Sequence, residues 1–442
     1  MSSHDLPRPD YAARRRRLME RLPDGVAIVP TATEKSRNAD VHYPFRPDSD
    51  FWYLTGFAEP EALLVLVPGH PDGEEWLFCR PRDPEREIWD GRRAGLEGAR
   101  ELCGIQQTRS IVELDSLLPE LLQNRELLCA PLGRSADFDA RLMLWRNQAR
   151  SRSRAGIRYP QELVDLGFLL HEMRVIKDPV ELEHLRAAVG ISAAGHRHGM
   201  RVCRPGMTEY QLQAEIEFVF QRLGARSVAY PSIVGGGPNA CILHYTENRD
   251  ALADGELVLV DAGAEYGNYA GDITRSYPVN GVFSPAQREV YALVLASQKA
   301  AIAALAPGRS VADYHEAAVA VLVDGLRDLK ILSESRETIL EQGLYRSFYM
   351  HRTGHWLGLD VHDAGSYRQR DGNWRMLEPG MVVTVEPGLY FSPENPACPE
   401  RYRGIGIRIE DDCLITAEGV EVLSAAAPKE IDEIEALMAL DG

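Results

Sequence analysis

The spacing of hydrophobic and polar positions divides this chain into two parts. In the first part, short apolar runs separated by helical segments predict an α/β domain, and the runs are GVAIV from 25, ALLVLV from 62, EWLFC from 75 and ELLCA from 126. Apolar residues then follow helical spacing from Leu163, with an interruption where Asp178 can cap a helix and Pro179 can begin one. We therefore predict two domains, residues 1–173 and 174–442.

The second part mixes long helical segments with β-forming runs. Helices are predicted in TEYQLQAEIEFVFQRLG and SPAQREVYALVLASQKAAIAAL, and a short helix, KEIDEIEALMAL, closes the chain. The β-forming runs are ELVLV before Asp261, MVVTV before Glu386 and GIGIRIEDDCLI around Glu410. Each of these runs therefore contains an acidic residue or is directly followed by one.

Two aspartates lie on either side of a predicted turn. The odd separation of Asp261 and Asp272 would put them on opposite faces of one straight strand. A hairpin that turns at Tyr266 and Gly267 instead sets Asp261 opposite Asp272 on one face. Cross-strand Cβ atoms are roughly 4.5–5.5 Å apart and paired metal ions about 3.5–4 Å apart, so both carboxylates could reach one ion pair.

Two glutamates repeat this arrangement. Glu386 ends the apolar strand MVVTV, where an ionised group without a partner would be costly. Glu410 alternates with isoleucines and shares a strand face with Arg408, which suits an arginine that orients a ligating carboxylate.

Histidines are concentrated in one glycine-containing segment. His351, His355 and His362 lie within MHRTGHWLGLDVHDAG, and we expect His355 to be a metal ligand. Upstream, His244 is predicted at the end of a CIL strand that follows a flexible loop, Gly235 to Gly237.

These residue types together predict a dinuclear metallohydrolase. Four carboxylates and one imidazole suit Mn²⁺, Co²⁺ or Zn²⁺, and the absence of thiolates argues against a structural zinc site. Two such ions can activate water and polarise a carbonyl, which is the chemistry of amide hydrolysis.

Motifs in a fixed order connect the chain to a known family. The sequence DSDFWYLTGF near residue 50 is followed by LHY at 243, DAGAEY at 261, GDITRS at 271, GHWLGLDVHD at 354, EPGLY at 386 and GIRIED at 406. Over nearly its whole length the chain resembles aminopeptidase P, the Xaa-Pro aminopeptidase family of pita-bread metallopeptidases. The resemblance implies a creatinase-like N-terminal α/β domain, followed by a pita-bread catalytic domain with a curved, mainly antiparallel sheet.

The resemblance also implies an activity and the residues that carry it. The family releases the N-terminal residue from peptides with proline in the second position, by attack of a metal-bridging hydroxide. Two Mn²⁺ would be bound by Asp261, Asp272, His355, Glu386 and Glu410, with Asp272 and Glu410 bridging. Glu386 would assist proton transfer, and His244 and His362 would contact the substrate near the scissile carbonyl. Further substrate contacts are implied for His351, Tyr230, Tyr390 and Arg408, and for Trp89 in a neighbouring subunit of a homodimer or homotetramer.

Three alternatives stay open at this point. A prolidase would share all five ligands but cleave only Xaa-Pro dipeptides. A creatinase-like hydrolase would keep the fold without the ligands, and a non-catalytic pita-bread protein would only bind partners.

The net charge and the cysteine content indicate which classes of partner and which cell compartment to expect. The net charge of −17, from 49 basic and 66 acidic residues, argues against nucleic-acid binding. The one basic run, Arg14 to Arg17, is interpreted as a solvated helical face. Seven scattered cysteines without a CxxC motif indicate free thiols in a reducing compartment, hence the cytoplasm. No segment has the composition of a membrane span or a signal peptide.

Overall fold

The computed structural model describes residues 6–441, which form two compact units. The N-terminal unit is Arg8–Met173, and the C-terminal unit comprises residues 6 and 7 together with 174–441.

The N-terminal unit is a mixed β-sheet with helices. Its strands are β1 (Gly25–Pro30), β2 (Ser36–Asn38), β3 (Val41–His42), β4 (Leu63–Leu66), β5 (Glu75–Cys79), β6 (Gln107–Ser110), β7 (Leu127–Ala130) and β8 (Glu162–Asp165). Its helices are α1 (Tyr11–Met19), α2 (Ser49–Thr55), α3 (Pro84–Asp90), α4 (Gly95–Cys103), α5 (Leu114–Leu121), α6 (Ala136–Ser151) and α7 (Gly167–Arg174). Six strands form one sheet in the order β6-β5-β4-β1-β7-β8, and β2 and β3 form a separate hairpin.

The four apolar runs of the sequence are β1, β4, β5 and β7, as predicted. Their side chains are buried almost without alternation, which is typical of strands covered on both faces. The pairs β1–β7, β5–β6 and β7–β8 are parallel, whereas β1–β4 and β4–β5 are antiparallel. The prediction of an α/β domain is therefore confirmed.

Two predictions for this unit are wrong in detail. The helical spacing from Leu163 begins in a strand, because Glu162–Asp165 pairs in parallel with β7 and the helix starts only at Gly167. The basic run is not wholly a solvated face, since Arg14 and Arg15 are 3% and 0% exposed.

Helix ends explain why these two arginines are buried. Arg14 donates to the carbonyl of Tyr53 and Arg15 to that of Leu54, in the last turn of α2, where carbonyls have no partner within the helix. The positive charges also match the negative end of the helix dipole. Arg15 is further paired with Glu75 at 3.0 Å.

The C-terminal unit combines six helices with short antiparallel strands. The helices are α8 (Pro179–Val202), α9 (Glu209–Arg222), α10 (Pro285–Ala304), α11 (Asp313–Asp328), α12 (Arg336–Gln342) and α13 (Ile431–Met438). The strands are β9 (Ser227–Val228), β10 (Ile233–Gly236), β11 (Leu257–Asp261), β12 (Ala264–Tyr266), β13 (Tyr269–Ala270), β14 (Thr274–Pro278), β15 (Val382–Val385), β16 (Gly388–Phe391), β17 (Ile405–Arg408), β18 (Asp411–Ile415) and β19 (Val420–Val422). Every ladder between these strands is antiparallel, which confirms the expected sheet type.

The helix signals in the sequence correspond to real helix ends. Asp178 and Glu181 form a capping box at the start of α8, with Pro179 in its first turn. The predicted segments for α9, α10 and α13 are helices, whereas α11 and α12 were not predicted.

Two further observations concern thiols and membranes. All seven cysteines are free thiols, and six of them are buried. Within residues 6–441, none of the helices combines the length and apolar character needed to cross a bilayer.

Candidate active site

The first carboxylate pair lies on the β11–β14 hairpin, in a register that differs from the predicted one. Asp261 faces Thr274, not Asp272. The turn lies one residue later than predicted, because Gly267 and Asn268 are the two residues with positive φ (59° and 66°), which a two-residue hairpin turn requires. The shift in pairing is two residues, an even number, so Asp261 and Asp272 still share one face of the sheet.

Hydrogen bonds hold the two aspartates in place. The hydroxyl of Tyr230 lies 2.5 Å from Asp261 Oδ1 and 2.6 Å from Asp272 Oδ1, so its single proton is shared between two carboxylates. Arg408 Nη2 donates to Asp261 Oδ2 at 2.6 Å. Tyr230 and Arg408 therefore orient the aspartates directly.

The second carboxylate pair lies between the β15–β18 ladder and the β16–β17 ladder, which share the same pairing register. Val385 pairs with Asp411, and Gly388 pairs with Arg408. Counting inward from both ladders sets Glu386 opposite Glu410. The two glutamates therefore occupy an interruption in a single antiparallel ribbon, with strand pairing on both sides.

Thr274, which the sequence analysis missed, joins the two pairs. Its hydroxyl donates to Glu410 Oε2 at 2.7 Å and accepts from Arg408 Nε at 3.1 Å. Its carbonyl accepts from the Glu410 amide at 3.1 Å. The sequence does contain a signal, since Thr274 is two residues after Asp272 and so points to the same face.

Replacing Thr274 by valine tests this junction. The variant keeps the shape of the side chain but removes the hydroxyl, so one oxygen of Glu410 loses its donor. Because the partners that orient ligands typically contribute 10–100-fold to metal affinity or activity, we expect a loss of about that size in Mn²⁺ affinity, measured by calorimetry. Thr274→Ser retains the hydroxyl and should stay close to the unaltered protein. Equal affinity in the valine and serine variants would contradict the assigned role.

His355 approaches both carboxylate pairs. Its Nδ1 lies 2.9 Å from the next residue's carbonyl and donates to it, which leaves Nε2 facing Asp272 Oδ2 at 3.3 Å and Glu386 Oε1 at 3.8 Å. The exposed His362 stacks edge-on against it, with ring centroids 4.3 Å apart. Burial and the charge of His355 lower the pKa of His362.

His351 lines the same cavity and is neutral. Its Nδ1 bonds the next residue's carbonyl at 2.7 Å, so Nε2 accepts from the hydroxyl of Tyr390 at 2.8 Å. Burial, together with the charge of Arg408, lowers the pKa of His351 to about 3.

His244 is exposed and lies in a turn, so the predicted strand end is wrong. Gly235 and Gly236 belong to β10 and are not a flexible loop, and Gly237, at φ +50°, starts the 3₁₀ turn Gly237–Cys241. Glycine permits this left-handed conformation, which ends the strand before the apolar residues are reached.

The carboxylates carry more negative charge than the nearby side chains balance. Burial raises the pKa of Glu386 to about 7, although the charges of His355 and Arg408 act in the opposite direction. Burial and the neighbouring Asp272 hold the pKa of Glu410 well above its ordinary value. For His355, burial disfavours the charged form, but the hydrogen bond and charge of Asp272 outweigh it and raise the pKa to about 9.

Divalent ions are the positive charge that fits this donor set. Ligand atoms of Asp272, His355 and Glu410 lie within 4.8 Å of one another, and Asp261 and Glu386 line the same cavity. Carboxylate oxygens with one imidazole nitrogen suit hard or intermediate divalent metals. The residues present therefore fit a pair of divalent ions.

One cavity of ≈ 830 Å³ contains most of the predicted site. It is lined by ten of the twelve residues named from the sequence: Tyr230, His244, Asp261, Asp272, His351, His355, His362, Glu386, Arg408 and Glu410. Tyr390 does not line it and instead supports His351 and Arg408 from behind. Trp89 is 85% exposed on α3 of the N-terminal unit, and its proposed contact with a neighbouring subunit stays a prediction.

Comparison with known proteins gives the chain a family. Residues 183–417 match metallopeptidase family M24, and residues 11–129 match the N-terminal domain of aminopeptidase P. The chain belongs to metallopeptidase family M24. Membership of this family implies divalent metal ions, in agreement with the donor set described above.

Known proteins match this chain over nearly its full length. It is 46% identical to the Xaa-Pro aminopeptidase of Haemophilus influenzae, over 98% of both chains. It is similar in structure to the aminopeptidase PepP of Pseudomonas aeruginosa, with a TM-score of 0.96 and 49% identity over 99% of both chains. A zinc-substituted Escherichia coli aminopeptidase P in complex with product matches with a TM-score of 0.94 and 44% identity, covering 100% of this chain and 99% of that one. The family and the two-part fold expected from the motifs are confirmed.

Proposed function

We propose that this chain is a metal-dependent aminopeptidase that releases the N-terminal residue from peptides with proline in the second position. The observation that carries the proposal is the convergence of four carboxylates and His355 on one cavity, in an M24 chain. The preference for proline is supported by the identity of 46% to an Xaa-Pro aminopeptidase over 98% of both chains.

The proposed metal ligands are the five residues named from the sequence. Asp261, Asp272, His355, Glu386 and Glu410 would hold two ions, with Asp272 and Glu410 shared between them. We propose Mn²⁺, because oxygen donors dominate the set. When bound, such ions supply Lewis acidity that activates water and polarises a carbonyl.

Glu386 is proposed to move the proton. Its carboxylate lines the cavity, where it can accept a proton from water and pass that proton on, first as a general base and then as a general acid. The departing proline nitrogen has no hydrogen of its own in the substrate and must receive one. Glu386 lies at the edge of the cavity with 18% of its side chain exposed, which allows contact with that nitrogen.

Histidines on the cavity wall are proposed to bind the peptide carbonyl. His362 and His244 are both exposed to the cavity, and a ring N–H from either can donate to an oxygen that becomes more negative during the reaction. Neutral His351 cannot repel the metal ions, and together with Tyr230 and Arg408 it forms the wall next to the carboxylates.

The deciding experiment compares two substrates. Cleavage of Ala-Pro and of Ala-Pro-Leu is measured side by side with purified protein in Mn²⁺. We expect release of alanine from the tripeptide, with loss of activity on chelation and recovery on adding Mn²⁺ back. Cleavage of the dipeptide alone would assign a prolidase, and no cleavage of either with bound Mn²⁺ would favour a non-catalytic binding protein.

A further inference from the structure

A cation without an acidic partner lies at the wall of the acidic cavity. Arg352 lines the cavity and is exposed. Within residues 6–441 its guanidinium forms no hydrogen bond or ion pair with another residue. The other arginine of the cavity, Arg408, is 4% exposed and fully engaged by Asp261, Tyr390 and Thr274. Arg352 is therefore the arginine of the cavity that is available to a ligand.

An aromatic ring restricts where this guanidinium can lie. The Cζ atom of Arg352 is 4.8 Å from the centroid of Trp374, and the Cζ of Arg368 is 3.8 Å from the same centroid. Cation–π contact uses the face of the guanidinium and leaves its N–H donors free at the edge. A restrained planar group with free donors is suited to bidentate binding of a carboxylate.

Distances along the chain agree with the length of a short substrate. Arg352 stands three residues before His355, so their backbones are at most about 11 Å apart. In Xaa-Pro-Yaa, the terminal carboxylate lies two residues beyond the scissile carbonyl, which is at most about 7 Å in an extended peptide. A peptide whose amine lies at the carboxylate pairs can therefore place its other end within reach of a long arginine side chain.

We propose that Arg352 binds a substrate carboxylate on the far side of the proline, and so sets a preference for substrates with a negative charge at that end. The ligand is the α-carboxylate of a tripeptide or an acidic side chain in the third position. This deepens the aminopeptidase function proposed above, because it assigns the residue that selects among Xaa-Pro-Yaa peptides.

The test measures a ratio of two substrates. kcat/KM is determined for Ala-Pro-Leu and for its C-terminal amide, with the unaltered protein, Arg352→Gln and Arg352→Lys. We expect the unaltered protein to favour the free acid by about tenfold, through KM, as befits one charge-assisted contact. The ratio should fall to about one in Arg352→Gln and recover in part in Arg352→Lys. If Arg352 had a purely structural role, replacing it would lower kcat/KM for both substrates together and leave their ratio unchanged.

A matched control and a second peptide sharpen the test. Arg368 is the other arginine over Trp374, and it does not line the cavity. The variant Arg368→Gln should therefore keep the full preference for the free acid over the amide. Ala-Pro-Glu amide separates the two sources of carboxylate. If it is favoured over Ala-Pro-Leu amide through Arg352, the side chain can serve as the ligand, and if it is not, the α-carboxylate alone is recognised.

Equilibrium binding separates this proposal from the proposed function. Calorimetry compares Pro-Leu with Pro-Leu amide, and we expect tighter binding of the free acid in the unaltered protein but not in Arg352→Gln. If no Xaa-Pro peptide is cleaved, the proposed function fails, and the binding ratio still decides the role of Arg352. Equal affinity for acid and amide, or a preference that persists in Arg352→Gln, overturns the proposal.

Discussion

Replacing Asp272 by alanine is expected to abolish peptide hydrolysis and to prevent the binding of two metal ions. Asp272 is 4% exposed, shares the Tyr230 hydroxyl with Asp261 and lies 3.3 Å from His355. Loss of a metal that stabilises the transition state costs several kcal/mol, and each 1.36 kcal/mol is a factor of ten, so we expect kcat/KM for Ala-Pro-Leu to fall at least about 10³-fold. Metal content, measured by mass spectrometry after dialysis, should fall below two ions per chain.

Asp328→Ala is the matched control for this substitution. Asp328 is an exposed aspartate at the end of α11, so its removal should leave both activity and metal content unchanged. Full activity of Asp272→Ala would refute the role proposed for Asp272. Lost activity with two ions still bound would assign Asp272 to the chemistry and not to holding the metals.

Replacing Asp411 by alanine is expected to destabilise the C-terminal unit by about 3–5 kcal/mol, because it leaves a buried arginine without its counter-ion. Asp411 and Arg275 are both 0% exposed and lie 2.8 Å apart. Lys429 also pairs with Asp411, and Gln298 donates to it at 2.6 Å. Burial alone would raise the pKa of Asp411, but the charges of Arg275 and Lys429 hold it below its usual range. Chemical denaturation of the metal-free protein measures the loss.

An exposed ion pair in the same unit provides the comparison. Arg186 and Glu421 lie 2.6 Å apart, but 44% and 43% of their side chains are exposed. Exposed pairs contribute about 0.2–1 kcal/mol, so Glu421→Ala should change the free energy of unfolding by less than about 1 kcal/mol. Similar losses in the two variants would show that the buried pair is not an important source of stability.

The sequence was most informative where one residue decides the local structure. Pro179 after Asp178 placed the start of α8, and the carboxylates next to apolar runs identified the site. The apolar runs of the N-terminal unit became strands because buried strands are apolar on both faces.

Contacts between segments that are far apart in the sequence could not be predicted in this way. Arg14 and Arg15 donate hydrogen bonds to the end of α2, which lies 39 residues further along the chain. The spacing of residues within α1 does not predict these contacts. Similarly, Thr274 has no chemistry of its own, and its role appears only when β14 brings it against Glu410. The hairpin register was predicted wrongly because the choice between two adjacent turn positions depends on φ, which Asn268 tolerates better than Tyr266 does.

The interrupted ribbon that carries Glu386 and Glu410 has a consequence for engineering this enzyme fold. Strand pairing on both sides keeps the two glutamates opposite each other only while the number of residues between the two ladders is unchanged. The length of each strand therefore matters as much as its composition. Inserting or deleting a single residue between Val385 and Gly388 would break the agreement between the two ladders and turn one glutamate away from the other. Libraries aimed at new specificity should therefore leave the length of this segment constant.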